Sequence, residues 1–326
     1  MNIMIMLKNN FLRVFGRKGY APVSLALTFV LIMVAVFFSS QLETKGHIGI
    51  VGGEGLVFSN TDVIQISYLD EVPPKSALVM NRYHAVAVPS ADGWDILTVR
   101  NEEFSNMVET ILIHGELPEG MTSHTRPVGV TVLGFLNMFI FMQGFIFMCF
   151  FREDKEIGTL KRTVTSSVSL ESFLAAHVIF NFSFMYGITL AVIGFCKLLG
   201  MDLGFSYLQY AGMLALITFL ATAFALFMLA AVEKEDSALA LAGIIVVASP
   251  ILSGSIYSLP EDNQILQTIG SLLPQKSFLD IADGLYRGAA LREYLPEFVH
   301  ILALAVGLVL AARFITKSRF DNGCYL

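Results

Sequence analysis

Six apolar stretches are long enough to cross a bilayer, where about 20 helical residues span the hydrocarbon. They cover residues 21–40, 127–151, 173–196, 205–232, 237–259 and 298–314. The first has Pro22 in its opening turn, where a missing N–H is harmless. The second, "PVGVTVLGFLNMFIFMQGFIFMCFF", carries no charge. The last is the shortest, and Arg313 at its end can extend its head to the interface. Residues 21–40 also resemble the apolar core of a secretory leader. They are too long for one, however, and no small-x-small cleavage site follows, so they read as a retained anchor.

The polar stretches between these runs predict different structures. In residues 41–126, "HIGIV", "VIQISYL", "HAVAV" and "DILTV" are β-branched runs bounded by turn-forming residues. The run "NEEFSNMVETILIHG" offers Asn101 as an N-cap, acids in its first turn, and Phe104, Val108, Ile111 and Leu112 on one face. A small α/β domain between the first two spans is expected. In residues 260–297, Ile265, Ile269 and Leu272 repeat helically, as do Phe278, Ile281 and Leu285. Two short re-entrant helices on the outer membrane face are expected there. Residues 1–20 place Ile3, Leu7, Phe11 and Val14 on one helical face with bases elsewhere, which suits an amphipathic helix lying on the inner interface.

Composition agrees with the pattern. The chain is 55% hydrophobic and 15% charged, with mean hydropathy +0.67, against about 25% charged for an ordinary soluble domain. The fold class is therefore a polytopic α-helical membrane protein. Its six transmembrane helices carry a small extracellular α/β domain between helices 1 and 2. The net charge of −6 matters less than its distribution. Lys8, Arg13, Arg17 and Lys18 precede the first span, Arg152, Lys155, Lys161 and Arg162 follow the second, and Arg313, Lys317 and Arg319 close the sixth. Residues 41–126 hold 12 acids against five bases. Basic loops stay in the cytoplasm, so both termini, the region 152–172 and the tail 315–326 are expected inside, and the α/β domain outside.

Several chemistries are missing. No GxxxxGK[ST] loop is present, and the "VGGEG" at Val51 has no lysine, so the chain is not expected to hydrolyse ATP. No HExxH, GxSxG or paired intramembrane carboxylates occur, so no catalytic residues and no metal site are expected. The three cysteines form no framework. The spans hold almost no ionisable residues away from their ends, which argues against a proton relay or charged pore. Their polar groups are the amides Asn137, Gln143 and Asn181, candidates for a substrate path or for plain helix–helix hydrogen bonds. Asn137 and Gln143 lie six residues apart, on different helix faces. Phe135, Met138, Phe139, Met142, Phe145 and Met148 make that helix adaptable to apolar ligands.

The connection 152–172 is unusually charged for a loop. A helix-competent run, "REDKEIGTLKR", is broken at Gly158-Thr159, and Thr165, Ser166 and Ser169 are N-cap candidates. From Glu153 onward the run "EDKEIGTLKRTVTSSVSLESFLAAH" resembles the signature of ABC type-2 permeases, the membrane subunits of ATP-binding-cassette exporters. The matching positions are Glu153, Glu156, Gly158, Thr159, Leu160, Thr165, Ser166, Val168, Ser169, Phe173 and Leu174. Ser167, Ala176 and His177 stand where proline, glycine and lysine are usual. "SPILSGSIYSLP" and "SLLPQKSFLDIADGLYRG" resemble the family's fifth-span ending and outer helices, and the α/β insert marks a subgroup.

The resemblance implies a multi-pass subunit of the cell membrane that dimerises with an identical copy or a paralogue. It would carry separate ABC ATPase subunits, which bind the ATP and Mg, while the chain itself binds no cofactor. Residues 152–169 would form the coupling element, with Glu153, Asp154 and Glu156 meeting basic ATPase residues. The cargo would be hydrophobic or amphipathic: a drug, an antimicrobial peptide or a lipid-like molecule. A competing reading is a membrane sensor whose outer domain binds a ligand without transport.

Overall fold

A computed structural model describes residues 3–16, 19–42, 46–52, 64–74, 78, 83–90, 93–98, 105, 108–110, 112–113, 127–166, 168–232, 235–254 and 264–322. The chain divides into two compact units, Met1–Val36 with Pro127–Leu326, and Phe37–Arg126.

The larger unit is helical. In chain order it contains α1 (Ile3–Gly16), α2 (Tyr20–Leu42), α3 (Val128–Phe147), α4 (Cys149–Glu156), α5 (Thr159–Ser166), α6 (Leu170–Leu198), α7 (Tyr207–Ala231), α8 (Glu235–Leu252), α9 (Gln264–Leu272), α10 (Pro274–Tyr286) and α11 (Leu295–Asp321). Hydrocarbon offers no partner to a backbone N–H, so each apolar run must close its hydrogen bonds internally as a helix. The starts are set by side chains. Ser169 Oγ accepts from the Ser172 N–H at 3.2 Å to open α6. At α7, Ser206 Oγ accepts from Gln209 N–H at 3.3 Å, while Gln209 Oε1 accepts from Ser206 N–H at 2.7 Å. Such reciprocal caps satisfy two otherwise orphaned donors. Ser206→Ala is expected to lower stability by about 1 kcal/mol, measured as a shift in the thermal unfolding midpoint in mild detergent.

Four described helices are long and apolar enough to cross a membrane: Val128–Glu156, Leu170–Leu198, Tyr207–Ala231 and Leu291–Asp321. A fifth crossing arises if Ile3–Gly16 and Ala21–Phe37, which meet at 78°, are taken as one broken span. The run expected over 237–259 is instead the apolar helix Ser237–Leu252, short for a span, and residues 255–260 lie outside the described residues. The count among the described residues is thus four or five rather than six. The second span does not stop at residue 151. It continues into the charged segment, with a break at Met148, through Glu156.

α7 is the hub of this unit, packing against α3, α6 and α11. Small side chains make that possible. A Cβ on Gly144 of α3 would stand only 3.1 Å from the Ala221 carbonyl oxygen of α7, so the glycine permits a backbone approach typical of membrane helix pairs. α11 buries a narrow stripe, Ile301, Ala305, Ala312 and Thr316, and exposes Val299, Leu302, Val306, Leu310 and Phe314. An apolar surface of that length suits hydrocarbon rather than water. In α1, Leu7, Phe11 and Val14 face the protein, and Phe11 meets the Phe180 ring of α6 at 5.1 Å. The predicted apolar face is therefore docked on α6, while Met4, Ile5, Leu12 and Phe15 are exposed. α10 buries the expected Phe278 and Ile281, whereas Ile269 and Leu272 of α9 point outward.

The smaller unit contains a four-stranded sheet, β1 (Gly46–Val51), β2 (Ile64–Leu69), β3 (Ala85–Ser90) and β4 (Gly93–Thr98), in the order β2-β1-β3-β4. β1 runs parallel to β2 and β3, and β4 is antiparallel to β3. Ile48, Ile50, Ala85 and Ala87 form one buried face with Val108 and Leu112 from the helical residues that follow the sheet. The proposed cap Asn101 and the stop at Gly115 lie outside the described residues.

Candidate functional site

The charged connection folds as two short helices, α4 and α5, joined at an elbow. Gly158 sits there at φ +69°, a left-handed conformation that costs other L-residues about 1–2 kcal/mol. It ends α4 and lets α5 start in a new direction. Arg162 Nη2 donates back to the Ile157 carbonyl at 3.1 Å, bracing the turn.

The inner side of α4 is occupied within the chain. Arg13 of α1 donates through Nη1 to both carboxylate oxygens of Asp154, at 3.0 and 3.1 Å, and through Nη2 to Glu153 Oε2 at 2.9 Å. Its guanidinium also lies 4.5 Å from the Phe150 ring centroid, a cation–π position. On the other side of Asp154, His177 Nε2 of α6 stands 3.3 Å from Oδ2, at ion-pair distance rather than as an aligned hydrogen bond. Asn10 Nδ2 of α1 lies 3.3 Å from His177 Nδ1. An amide N–H can only donate there, which leaves the imidazole proton on Nε2, facing the carboxylate. Asp154, His177 and Asn10 are all buried. The joint thus ties α1, α4 and α6 around one carboxylate.

A second tie runs to the hub. Lys155 Nζ donates to the Leu229 carbonyl at 3.0 Å, and Arg319 Nη2 of α11 donates to the Ala231 carbonyl at 2.7 Å. The last carbonyls of a helix lack intrahelical donors and carry partial negative charge, so cations stabilise them. Through successive residues, α4 is fixed to α1, α6 and the end of α7. Nearby, Arg313 of α11 pairs with Glu171 at 2.8 Å.

The candidate coupling residues divide accordingly. Asp154, Leu160 and Val168 are buried, and Glu153 holds Arg13. Asp154 is therefore not presented to a partner, contrary to the expectation for the three acids. Gly158 and Thr159 are half-buried at the elbow, and Glu156, Thr165, Ser166 and Ser169 are exposed. Of the three hydroxyl residues only Ser169 caps a helix. Thr165 and Ser166 sit in the last turn of α5 and donate to the Lys161 and Thr163 carbonyls at 2.8 and 2.7 Å. Ser167 lies outside the described residues. Sequence reasoning overlooked Ile157, 64% exposed at the tip of the elbow, and the inward partners Asn10, Arg13 and His177.

The three membrane amides are all buried, but they do not converge on one channel. Gln143 Nε2 donates to Ser24 Oγ and Thr28 Oγ1 of α2 at 2.6 and 3.1 Å. Asn181 Nδ2 of α6 donates to the Gly144 carbonyl at 3.1 Å. Asn137 is about 9 Å from Gln143 along α3 at helical rise, and neither of its amide atoms has a partner among the described residues. Two of the three therefore make helix–helix hydrogen bonds.

A family model described as ABC-2 family transporter protein matches residues 100–314. No curated protein matches the chain.

Proposed function

Since the chain belongs to the ABC-2 family of transporter proteins, we propose that it is the permease subunit of an ATP-driven exporter and that the α4–α5 elbow receives force from a soluble ATPase. Membership implies partnership with an ATP-binding subunit, and membrane components of this family are normally not catalytic themselves. The supporting observation is the double-sided build of the elbow. Its inner side is locked to α1, α6 and α7, while Glu156, Ile157, Arg162, Thr165 and Ser166 face outward. A push on the exposed side would move three membrane helices together, because none of them can slip past Asp154 or Lys155 without leaving a charge unpaired.

In this reading the chain crosses the cell membrane six times, with both termini and the elbow in the cytoplasm and the α/β unit outside. Two permeases form the path, and ATP and Mg bind at the ATPase subunits. The cargo is hydrophobic or amphipathic, of the drug, antimicrobial-peptide or lipid-like kind, consistent with spans whose polar groups are almost all uncharged. Mild extraction of the tagged protein followed by mass spectrometry is expected to recover a stoichiometric soluble ATPase. Recovery of the permease alone, even after cross-linking, would remove the motor and overturn the proposal.

A further inference from the structure

Between α2 and α3 lies a cavity of about 380 Å³, within the size range of small-molecule sites, roughly 300–1,000 Å³. Its walls are Val23, Leu27, Phe139, Ile146 and Phe147, and its polar lining comes from Ser24 and Gln143. Val23, Leu27 and Ile146 are also substantially exposed on the outer surface of this unit, so the cavity opens where hydrocarbon would lie. An occupant reaches it sideways, from the bilayer.

Gln143 decides what that occupant is. Its amide is 1% exposed. Both N–H groups are used, on Ser24 Oγ at 2.6 Å and Thr28 Oγ1 at 3.1 Å. Thr28 in turn donates its own proton to the Ser24 carbonyl at 2.8 Å. Gln143 Oε1 is left buried without a partner. A carbonyl oxygen shut away from water and unpaired is unfavourable, and only a hydrogen-bond donor relieves it. No charged side chain borders the cavity, so a charged head would be stranded at membrane depth.

We infer that the α2–α3 cavity is a binding site for an uncharged single-chain amphiphile, its hydroxyl donating to Gln143 Oε1 and its alkyl chain lying against Leu27, Phe139 and Ile146. The occupant comes from the leaflet on the side of α1 and α4, since Gly19 borders the cavity and Gln143 lies about one turn before the end of α3. The site uses neither the elbow nor ATP, so its test is independent of the export reading.

The test uses the full chain in phosphatidylcholine nanodiscs, photolabelled with a diazirine-bearing hexadecanol and mapped by peptide mass spectrometry. Saturable labelling is expected in residues 19–28 and 139–147, displaced by hexadecanol but not by hexadecane. Gln143→Leu is expected to weaken apparent affinity about tenfold, the size of one lost hydrogen bond. Leu27→Trp fills the cavity without touching the amide pairs and is expected to abolish labelling, with unfolding temperature showing that the variant remains folded. If hexadecane competes as well as hexadecanol, or if Leu27→Trp still labels, the cavity is ordinary lipid contact and the inference is overturned.

Discussion

Asp154→Ala is expected to destabilise the protein by about 3 kcal/mol, the lower end of the range for breaking a buried ion pair. The reason is asymmetry. The carboxylate is almost closed off, with 9% of its side chain exposed, and its removal strands Arg13, which is 22% exposed. Glu153 still accepts from Arg13 at 2.9 Å, which keeps the loss from the upper end. The His177 Nε2–H also loses the oxygen it faces. The expected result is a lower unfolding temperature in mild detergent, with proteolysis beginning in α1, because Arg13 and Asn10 are its polar anchors. Replacing both partners, with Arg13→Met and Asp154→Leu together, should recover much of the loss, since a buried pair exchanged for apolar groups of similar size is often neutral. A double-mutant cycle decides the matter. If the two single effects simply add within about 0.5 kcal/mol, the pair contributes nothing and the joint holds by packing alone.

Much of the fold was readable because it rests on short-range regularities. Long uncharged runs coincide with α3, α6 and α7, and the four β-branched runs with the four strands. Other features depend on contacts that a pattern does not carry. Arg13 was visible only as one of several bases before the first span, and His177 only as a departure from a family signature. Their meeting at Asp154 brings together positions more than 140 residues apart, which no local rule anticipates. The caps show the same limit at short range. Thr165, Ser166 and Ser169 are equally good N-caps by residue type, and only the position of the break before Leu170 selects Ser169. The Ser206–Gln209 box, by contrast, is a spacing that the sequence displays openly. Gln143 and Asn181 were recognised as hydrogen-bonding groups because an amide in hydrocarbon must find partners, but neither their partners nor the unpaired oxygen of Gln143 could be read from the chain.

Gly158→Pro is expected to abolish ATP-driven transport while the chain still folds and still binds its ATPase. Proline fixes φ near −65°, whereas residue 158 stands at +69°, so the turn between α4 and α5 must open into another geometry. The substitution meets no steric obstacle in the surrounding structure, because nothing lies within 4 Å of a Cβ at this position. The change therefore acts on the backbone and on the angle between the two short helices. α4 keeps its ties to Arg13 and the end of α7, which precede the elbow, but α5 no longer moves with it. In reconstituted vesicles the complex should hydrolyse ATP at its basal rate, with no stimulation by cargo and no cargo movement. Gly158→Ala is the graded control. It adopts the same turn at a cost of about 1–2 kcal/mol and should retain partial coupling. Glu156→Lys reverses a charge on the exposed side without touching the turn, and is expected to reduce coupling through the partner surface instead. Normal coupled transport in both Gly158→Pro and Glu156→Lys would mean that the force enters the membrane helices somewhere other than this elbow.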